Sequence, residues 1–336
     1  MKAAVLKAAG LDNLEIVDLP EPTPGPGEVL VRINAASLNY RDLLTFQGGY
    51  GSRQKQADLI LLSDGAGEVL SVGDGVSTFK PGDRVIPSFF PNWRDGPPTA
   101  EKLAGALGGQ ADGVLCEQRV LPADALVPTP ANLTDVQAAA LPCAAVTAWS
   151  AVITQGRVGP GDVVLTQGTG GVSLFALQFA KLAGASVIAT SSSDEKLEKA
   201  RALGADHLIN YKTVPEWARA AREITGGRGV DHVVEVGGAG TLEQSIKAVR
   251  VGGAISLIGV LSGPNHTFRL PLVVTQNIRM QGVTVGSTAQ LAAMLRAVGA
   301  HGVEPAVDKV YPLSEVREAI EYMSAGRHFG KVCISL

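Results

Sequence analysis

From residue 162 onward the chain alternates between two kinds of segment, and this limits its fold more than any other feature. "DVVLTQG" (162–168) is a short apolar run, and "GVSLFALQFAKLAGA" (171–185) has helical periodicity. The pattern repeats through "SVIATS" (186–191), "DEKLEKARALGA" (194–205), "HLIN", "EWARAAREITGG", "VDHVVEVGG" (230–238), "TLEQSIKAVRVG" and "AISLIGV" (254–260). Short apolar strands separated by amphipathic helices form a parallel sheet with helical crossovers. The expected fold class is therefore α/β, with a doubly wound parallel sheet.

The join between the first strand and the first helix reads Gly168-Thr169-Gly170-Gly171-Val172-Ser173. Gly168 permits a tight turn. Gly170 removes a side chain where a pyrophosphate must approach the backbone, and the helix N-terminus supplies N–H groups for its charge. Serine at the third fingerprint position is small enough for close packing of helix on strand. In this strand–turn–helix context the spacing predicts dinucleotide binding. An NAD site places an acid near the end of the second strand. Here Thr190 and Ser191 stand there, which leaves room for a 2′-phosphate, with Lys196 to supply charge. NADP(H) is the expected cofactor. The competing arrangement has Asp194 reaching back to the ribose, giving NAD. Otherwise Asp194 and Glu195 sit in the first turn of a helix, with Ser192 and Glu195 as a capping box.

The first third reads differently. "GEVLVRINAASL" (27–38), "GAGEVLSVG" (65–73) and "DRVIPSF" (83–89) are β-type runs punctuated by Gly and Pro. Residues 90–112 are polar and Gly/Pro-rich and read as a long surface excursion. "TDVQAAALPCAAVTAWSAVIT" (134–154) reads as helix, with Thr134 and Gln137 as a capping box. The tail holds a helix around 289–300, the segment 309–326 and a last strand, "GKVCISL". A chain of 336 residues usually makes two domains. The expected division is 1–125, 126–286 and a return segment, 287–336.

Formal net charge is −3 and the Lys and Arg residues are scattered. That gives no electrostatic case for nucleic acid or a polybasic membrane contact. The apolar stretches are too short to span a bilayer, and no run has signal-peptide length. A cytoplasmic protein is expected. Three cysteines, Cys116, Cys143 and Cys333, exclude a four-cysteine zinc site and suit buried thiols.

Seven stretches, taken in order, resemble the medium-chain dehydrogenase/reductase superfamily over essentially the whole chain. They are "INAASLNYRDLLTFQGGY", "DGAGEVLSVGDGVSTFKPGDRV", "LPCAAVTAW", "GTGGVSLFALQFAK", "EKLEKARALGADHLINY", "VGGAISLIGVL" and "HFGKV". Within the superfamily the chain most resembles the zinc-independent quinone oxidoreductase-like branch. The resemblance implies a GroES-like catalytic domain built from the N-terminal part and the last residues. A Rossmann domain is inserted between them, the active site lies in the cleft, and dimers form through the Rossmann sheet edge. It further implies that Lys196 and Tyr211 contact the 2′-phosphate. Cys143, Thr147 and the turn Gly259, Val260, Leu261 fall near the nicotinamide, and Lys331 after Gly330 contacts the cofactor.

Catalytic zinc needs three protein ligands and an open position. Of the three positions zinc relatives use, the first reads Asn39-Tyr40-Arg41-Asp42. The second reads Ser63 with Asp64 beside it, and the third is Cys143. One ligand of three is kept. The five histidines, His207, His232, His266, His301 and His328, lie outside these stretches. No metal is expected. Without a Lewis acid, hydride donation suits acceptors that carry their own electron sink, a quinone or an α,β-unsaturated carbonyl. Asn39 and Tyr40 are the candidates to hydrogen-bond the acceptor oxygen, with Asp42 orienting them. Asn39 also suits a helix N-cap. Leu44 and Phe46 replace polar residues of the quinone reductases, so a small hydrophobic acceptor is expected. Tyr50, Phe90 and Trp93 are the candidate substrate walls; Phe90 and Trp93 equally suit loop anchoring. The competing functions are oxidation of a secondary alcohol with NADP+, and cofactor-dependent binding without turnover.

Overall fold

The computed structural model describes residues 1–49, 51–55, 57–263, 267 and 270–336. The N-terminal part runs β1 (Lys2–Leu6), β2 (Leu14–Asp18), β3 (Glu28–Ser37), α1 (Tyr40–Phe46), β4 (Leu59–Ile60), β5 (Asp64–Val72), β6 (Arg84–Pro87), β7 (Gln118–Pro122) and β8 (Leu126–Pro128). Two short helices follow, α2 (Asp135–Ala139) and α3 (Ala144–Trp149), then a π-helical stretch, Ser150–Gln155. The alternating part is β9 (Val163–Gln167), α4 (Gly171–Leu182), β10 (Ser186–Ser191), α5 (Asp194–Ala202), β11 (His207–Asn210), α6 (Trp217–Ile224), β12 (Val230–Glu235), α7 (Leu242–Ala248), β13 (Val249–Leu257), α8 (Leu270–Thr275) and β14 (Arg279–Gly282). The tail is α9 (Thr288–His301), β15 (Val307–Pro312), α10 (Val316–Ser324) and β16 (Lys331–Ser335).

Two compact units result. One is 1–146 with 286–336, the other 147–285. The first unit holds a seven-stranded sheet, β15-β16-β3-β5-β6-β8 with β7 also on β3, and a three-stranded sheet, β2-β1-β4. In β3 the residues Val29, Val31 and Ile33 alternate inward while Arg32 stays exposed. Arg32 meets Glu68 of neighbouring β5 at 2.8 Å, an ordinary cross-strand pair. β16 lies antiparallel to β3, so the last residues complete the sheet that the first third began.

The second unit is a six-stranded parallel sheet in the order β11-β10-β9-β12-β13-β14. β12 is buried at every position, as a strand covered on both faces must be. Phe175 and Phe179 of α4 are among the largest fully buried side chains, each worth ~2–3 kcal/mol of burial. The strand order reverses beside β9, between β9 and β12, which is where such sheets bind ligands.

Three expectations change. The first boundary moves from 125/126 to 146/147, because β8 pairs with β6 and α2 packs on β3 and β5. The single helix expected over 134–154 is broken after Ala139 by Leu141-Pro142-Cys143; the proline cannot supply a helical N–H. The 90–112 excursion is only partly at the surface: Phe90, Trp93, Ala106 and Leu107 are buried. No helix among the described residues is long and apolar enough to cross a membrane.

Candidate active site

In the first unit a polar cluster is buried at the junction of β3, α1, β5 and β16. Asn39 is the N-cap of α1, and its N–H donates to Asp42 Oδ2 at 2.7 Å. Lys331, 3% exposed, donates from Nζ to Leu38 O and to Asn39 Oδ1, both at 2.6 Å. Asn39 is 7% exposed and its Nδ2 has no hydrogen-bond partner; Asp42 Oδ1 is likewise buried without one. Asp64 Oδ1 accepts from Ser63 Oγ at 2.6 Å, and Asp64 Oδ2 accepts from Cys143 N at 2.9 Å. Arg41 donates to Leu107 O at 2.6 Å and lies over the Phe89 ring. Two buried cations thus accompany two buried carboxylates. The residue before Ser63, Leu62, is fully buried yet left-handed at φ 61°.

Burial raises the Asp42 carboxyl to about 6, against the pull of Arg41. Between its usual 3.8 and that value the folded chain holds the proton that the unfolded chain releases. Stability therefore falls as pH rises through this window. From pH 4.5 to 7.5 the native chain is expected to lose ~2 kcal/mol through this group. Asp42→Asn, which keeps an acceptor for Asn39 N, removes that loss. Urea midpoints of both proteins at the two pH values measure it; equal slopes would remove Asp42 as the source.

The candidates do not all gather here. Asn39, Asp42, Cys143 and Lys331 do. Tyr40, the first residue of α1, is 43% exposed. Phe90 and Trp93 pack on one another within their own loop, ring centres 6.1 Å apart, and Trp93 Nε1 donates to Gly96 O at 2.8 Å. That is loop anchoring rather than an open wall. Tyr50 lies outside the described residues.

In the second unit the remaining candidates sit at the carboxyl ends of neighbouring parallel strands. Gly168 takes φ +71° after β9, and Gly170 is the N-cap of α4. A Cβ at either would meet nothing within 4 Å. Thr169 is buried between them, and Gly171 and Val172 open the helix. Ser173 Oγ donates to Gln167 O at 2.6 Å, so the serine at the third fingerprint position ties helix to strand. Ser191 ends β10, and its carbonyl accepts from Tyr211 N at 3.0 Å. Tyr211 is exposed, while Lys196 lies in the first turn of α5. The N-cap of α5 is Ser193, not Ser192, and accepts from Lys196 N. Asp194 is held by Asn210 Nδ2 at 2.7 Å. Val260 and Leu261 are exposed after β13, Gly259 packs against the Val236 backbone, and Thr147 is buried in α3.

Two family models match: the alcohol dehydrogenase GroES-like domain over residues 25–131 and the zinc-binding dehydrogenase over 171–300. The zinc-type alcohol dehydrogenase-like protein C1773.06c of Schizosaccharomyces pombe is 46% identical, over 98% of this chain and 96% of that protein. The chain belongs to the medium-chain dehydrogenase/reductase superfamily. Among other superfamily members, a 2-haloacrylate reductase from Burkholderia sp is 30% identical, over 99% of this chain and 98% of its own length. A crystal structure of an NAD-dependent alcohol dehydrogenase superposes with TM-score 0.92 at 39% identity, covering 100% of both chains.

As a superfamily member the chain is an NAD(P)(H)-dependent oxidoreductase, with a GroES-like domain and a Rossmann-type domain. The open glycine turn at the N-terminus of α4 fits a dinucleotide pyrophosphate. The cluster in the first unit does not fit a catalytic zinc. Both oxygens of Asp64 are engaged by Ser63 and Cys143, and an ammonium stands among the carboxylates. Among the described residues no three His, Cys, Asp or Glu side chains come together as a metal site.

One functional group went unread in the sequence. Glu235, fully buried at the end of β12, accepts from Gly237 N at 2.8 Å, Gly238 N at 2.9 Å, Thr241 Oγ1 at 2.5 Å and Gln167 Nε2 at 2.8 Å, and also from Ser245 Oγ. Its backbone carbonyl takes Ile258 N at 2.9 Å. It therefore organises two loops at the cofactor end of the sheet. The available signal was an acid ending an otherwise apolar strand just before two glycines.

Proposed function

We propose that the chain is an NADPH-dependent, zinc-independent reductase that transfers hydride to an apolar α,β-unsaturated carbonyl or quinone, as in the quinone oxidoreductase-like branch. The observation that carries this reading is Asn39 Nδ2, a buried donor without a partner, in a cluster whose donor set does not suit zinc. Such a donor steadies an oxygen that gains charge as hydride arrives, the service a metal performs in alcohol oxidation. A relative named as a 2-haloacrylate reductase supports reduction of a conjugated acceptor.

Bound NADPH supplies the hydride from its nicotinamide ring. Gly168, Thr169, Gly170, Gly171 and Val172 receive the pyrophosphate. Ser191, Lys196 and Tyr211 receive the 2′-phosphate, a reading supported by Asp194 being turned to Asn210 instead. Within the second unit, Thr147, Gly259, Val260 and Leu261 would hold the nicotinamide. Asn39 donates to the acceptor oxygen, and Asp42 holds the Asn39 backbone in place; the exposed Tyr40 is not needed for that contact. A homodimer would pair through β14, one of the two edge strands of the parallel sheet.

The test is anaerobic oxidation of NADPH with a matched apolar enone and apolar 1,4-quinone, NADH as control, and metal content assayed on the same sample. Turnover with NADPH in metal-free protein is expected. Stoichiometric metal with turnover of a secondary alcohol would replace this reading by an alcohol dehydrogenase. Preference for NADH would return Asp194 to the ribose.

A further inference from the structure

We infer that Lys331 is a positioning residue for the acceptor site: it fixes the Asn39 amide so that Nδ2, not Oδ1, is offered to the substrate oxygen. The inference rests on the proposed reductase function and gives Lys331 a different task from binding the cofactor.

The sheet itself delivers this lysine. Gly330 is left-handed at φ +82°, and a Cβ there would lie 2.1 Å from Ala306 O, so only glycine lets β16 start at this point. Lys331 N then donates to Ala306 O at 2.9 Å, and Leu38 N donates to Val332 O at 3.0 Å. The ladder thus sets Lys331 beside Leu38 and Asn39, which are 292 or more residues away in the chain. Its ammonium carries three donors and no acceptor. Two of them are taken, one by Leu38 O and one by Asn39 Oδ1.

That contact decides the amide orientation. Turning the Asn39 amide over would bring its NH2 group against the ammonium, donor against donor, and lose a charge-assisted bond. The far side of the amide is therefore held as a donor. Nδ2 is also the atom left without a partner in a residue 93% buried by its 7% exposure. An acceptor oxygen gaining negative charge completes it. The positive charge behind Oδ1 polarises the amide in the sense that strengthens donation from Nδ2. Asp42 serves from the other direction, holding the Asn39 N–H. Lysine thus acts on the substrate only through asparagine.

The test compares Lys331→Met, Lys331→Arg, Asn39→Ala and the Asn39→Ala/Lys331→Met pair. Each is assayed for NADPH oxidation with the apolar enone, and for NADPH affinity by quenching of tryptophan fluorescence. Lys331→Met is expected to lower kcat ~10-fold or more while NADPH affinity stays within ~3-fold. In the Asn39→Ala background the same change should cost less than ~2-fold, because its route to the substrate is already gone. Lys331→Arg, which keeps the charge, should recover part of kcat. Multiplicative losses in the pair, or a loss confined to NADPH affinity, would overturn the inference. If Lys331→Met does not fold, Lys331→Gln, which removes the charge but keeps a polar end, makes the same comparison alone and with Asn39→Ala, with the same two outcomes.

A second readout works without turnover. p-Nitrophenol is titrated against each protein in the presence of NADP+. The native chain should bind the phenolate and lower the apparent pKa of the bound phenol; Lys331→Met and Asn39→Ala should return it toward the free value. Equal values in native and Lys331→Met proteins would overturn the inference. Absence of turnover with any acceptor would instead overturn the reductase function, and the phenol titration would still decide the role of Lys331.

Discussion

Gly170→Val is expected to leave the fold intact and to abolish tight dinucleotide binding. Gly170 takes φ −80° and ψ 175°, extended backbone open to any residue. A Cβ there has nothing within 4 Å. Neither backbone conformation nor packing within the chain requires glycine at this position. What glycine provides is access: the bare backbone at the N-terminus of α4 admits a pyrophosphate that a branched side chain would push away from the N–H groups. Valine is a poorer N-cap than glycine, so the melting temperature should fall, but only by a few degrees (roughly 1 kcal/mol). NADPH affinity should fall ~100-fold or more, about 3 kcal/mol. Fluorescence titration and thermal unfolding on one sample measure both. Native affinity in the variant would remove the pyrophosphate from this turn. Gly168→Val is a poorer probe, because φ +71° strains any branched residue whatever binds.

The second large effect concerns stability. Glu235→Ala should destabilise the Rossmann unit by ~3–5 kcal/mol, the usual cost of leaving a buried charged network without its centre. Five groups donate to this carboxylate, and the Gln167 and Ser245 donors are buried with it. Glu235→Gln should be nearly as damaging, since an amide puts a donor where Gln167 and Ser245, or the loop N–H groups, already donate. Urea unfolding followed by circular dichroism gives the value. The loop at 236–241 and the turn at 258–262 hang on the same residue, so NADPH affinity should weaken alongside. A loss below about 1 kcal/mol would mean the network is not a structural centre.

The parallel sheet was legible because burial on both faces writes itself into sequence as short apolar runs, and glycine marks where they turn. The strands β9 to β12 fall where those runs lie, whereas β13 begins at Val249, inside the run read as helix, and ends at Leu257. β1 was not legible: "KAAVL" is alanine-rich and carries neither alternation nor β-branched weight, and it becomes a strand only by pairing with β2 and β4. The capping box at Thr134 and Gln137 formed as read, whereas the cap of α5 moved one residue to Ser193. Caps are set by which hydroxyl meets the first free N–H, and two adjacent serines cannot be told apart in sequence.

At the site, residue type was readable but partnership was not. Asn39 was legible both as a substrate donor and as a helix cap, and its backbone does cap α1. The Gly-Lys pair at 330–331 suggested a cofactor contact; only the pairing of β16 with β3 reveals that the ammonium ends on Asn39. Phe90 and Trp93 could be read as wall or anchor, and burial favours the anchor.

The segment after Trp93 has a consequence for how freely this chain can change length. It looks like a dispensable connector, yet Gly108 and Gly113 lie flat on the backbone of Leu61 and Leu62. A Cβ on either would come within 2.5 Å of it. Leu107 also carries the Arg41 guanidinium. Insertions around 98–101, where the chain is exposed, fall outside the Trp93 anchor. The stretch from 106 to 113 behaves instead as a splint: shortening it would release the left-handed Leu62 and let Ser63 and Asp64 drift from Cys143. Trimming by sequence appearance alone would cut a tether of the buried polar cluster while seeming to remove a loop.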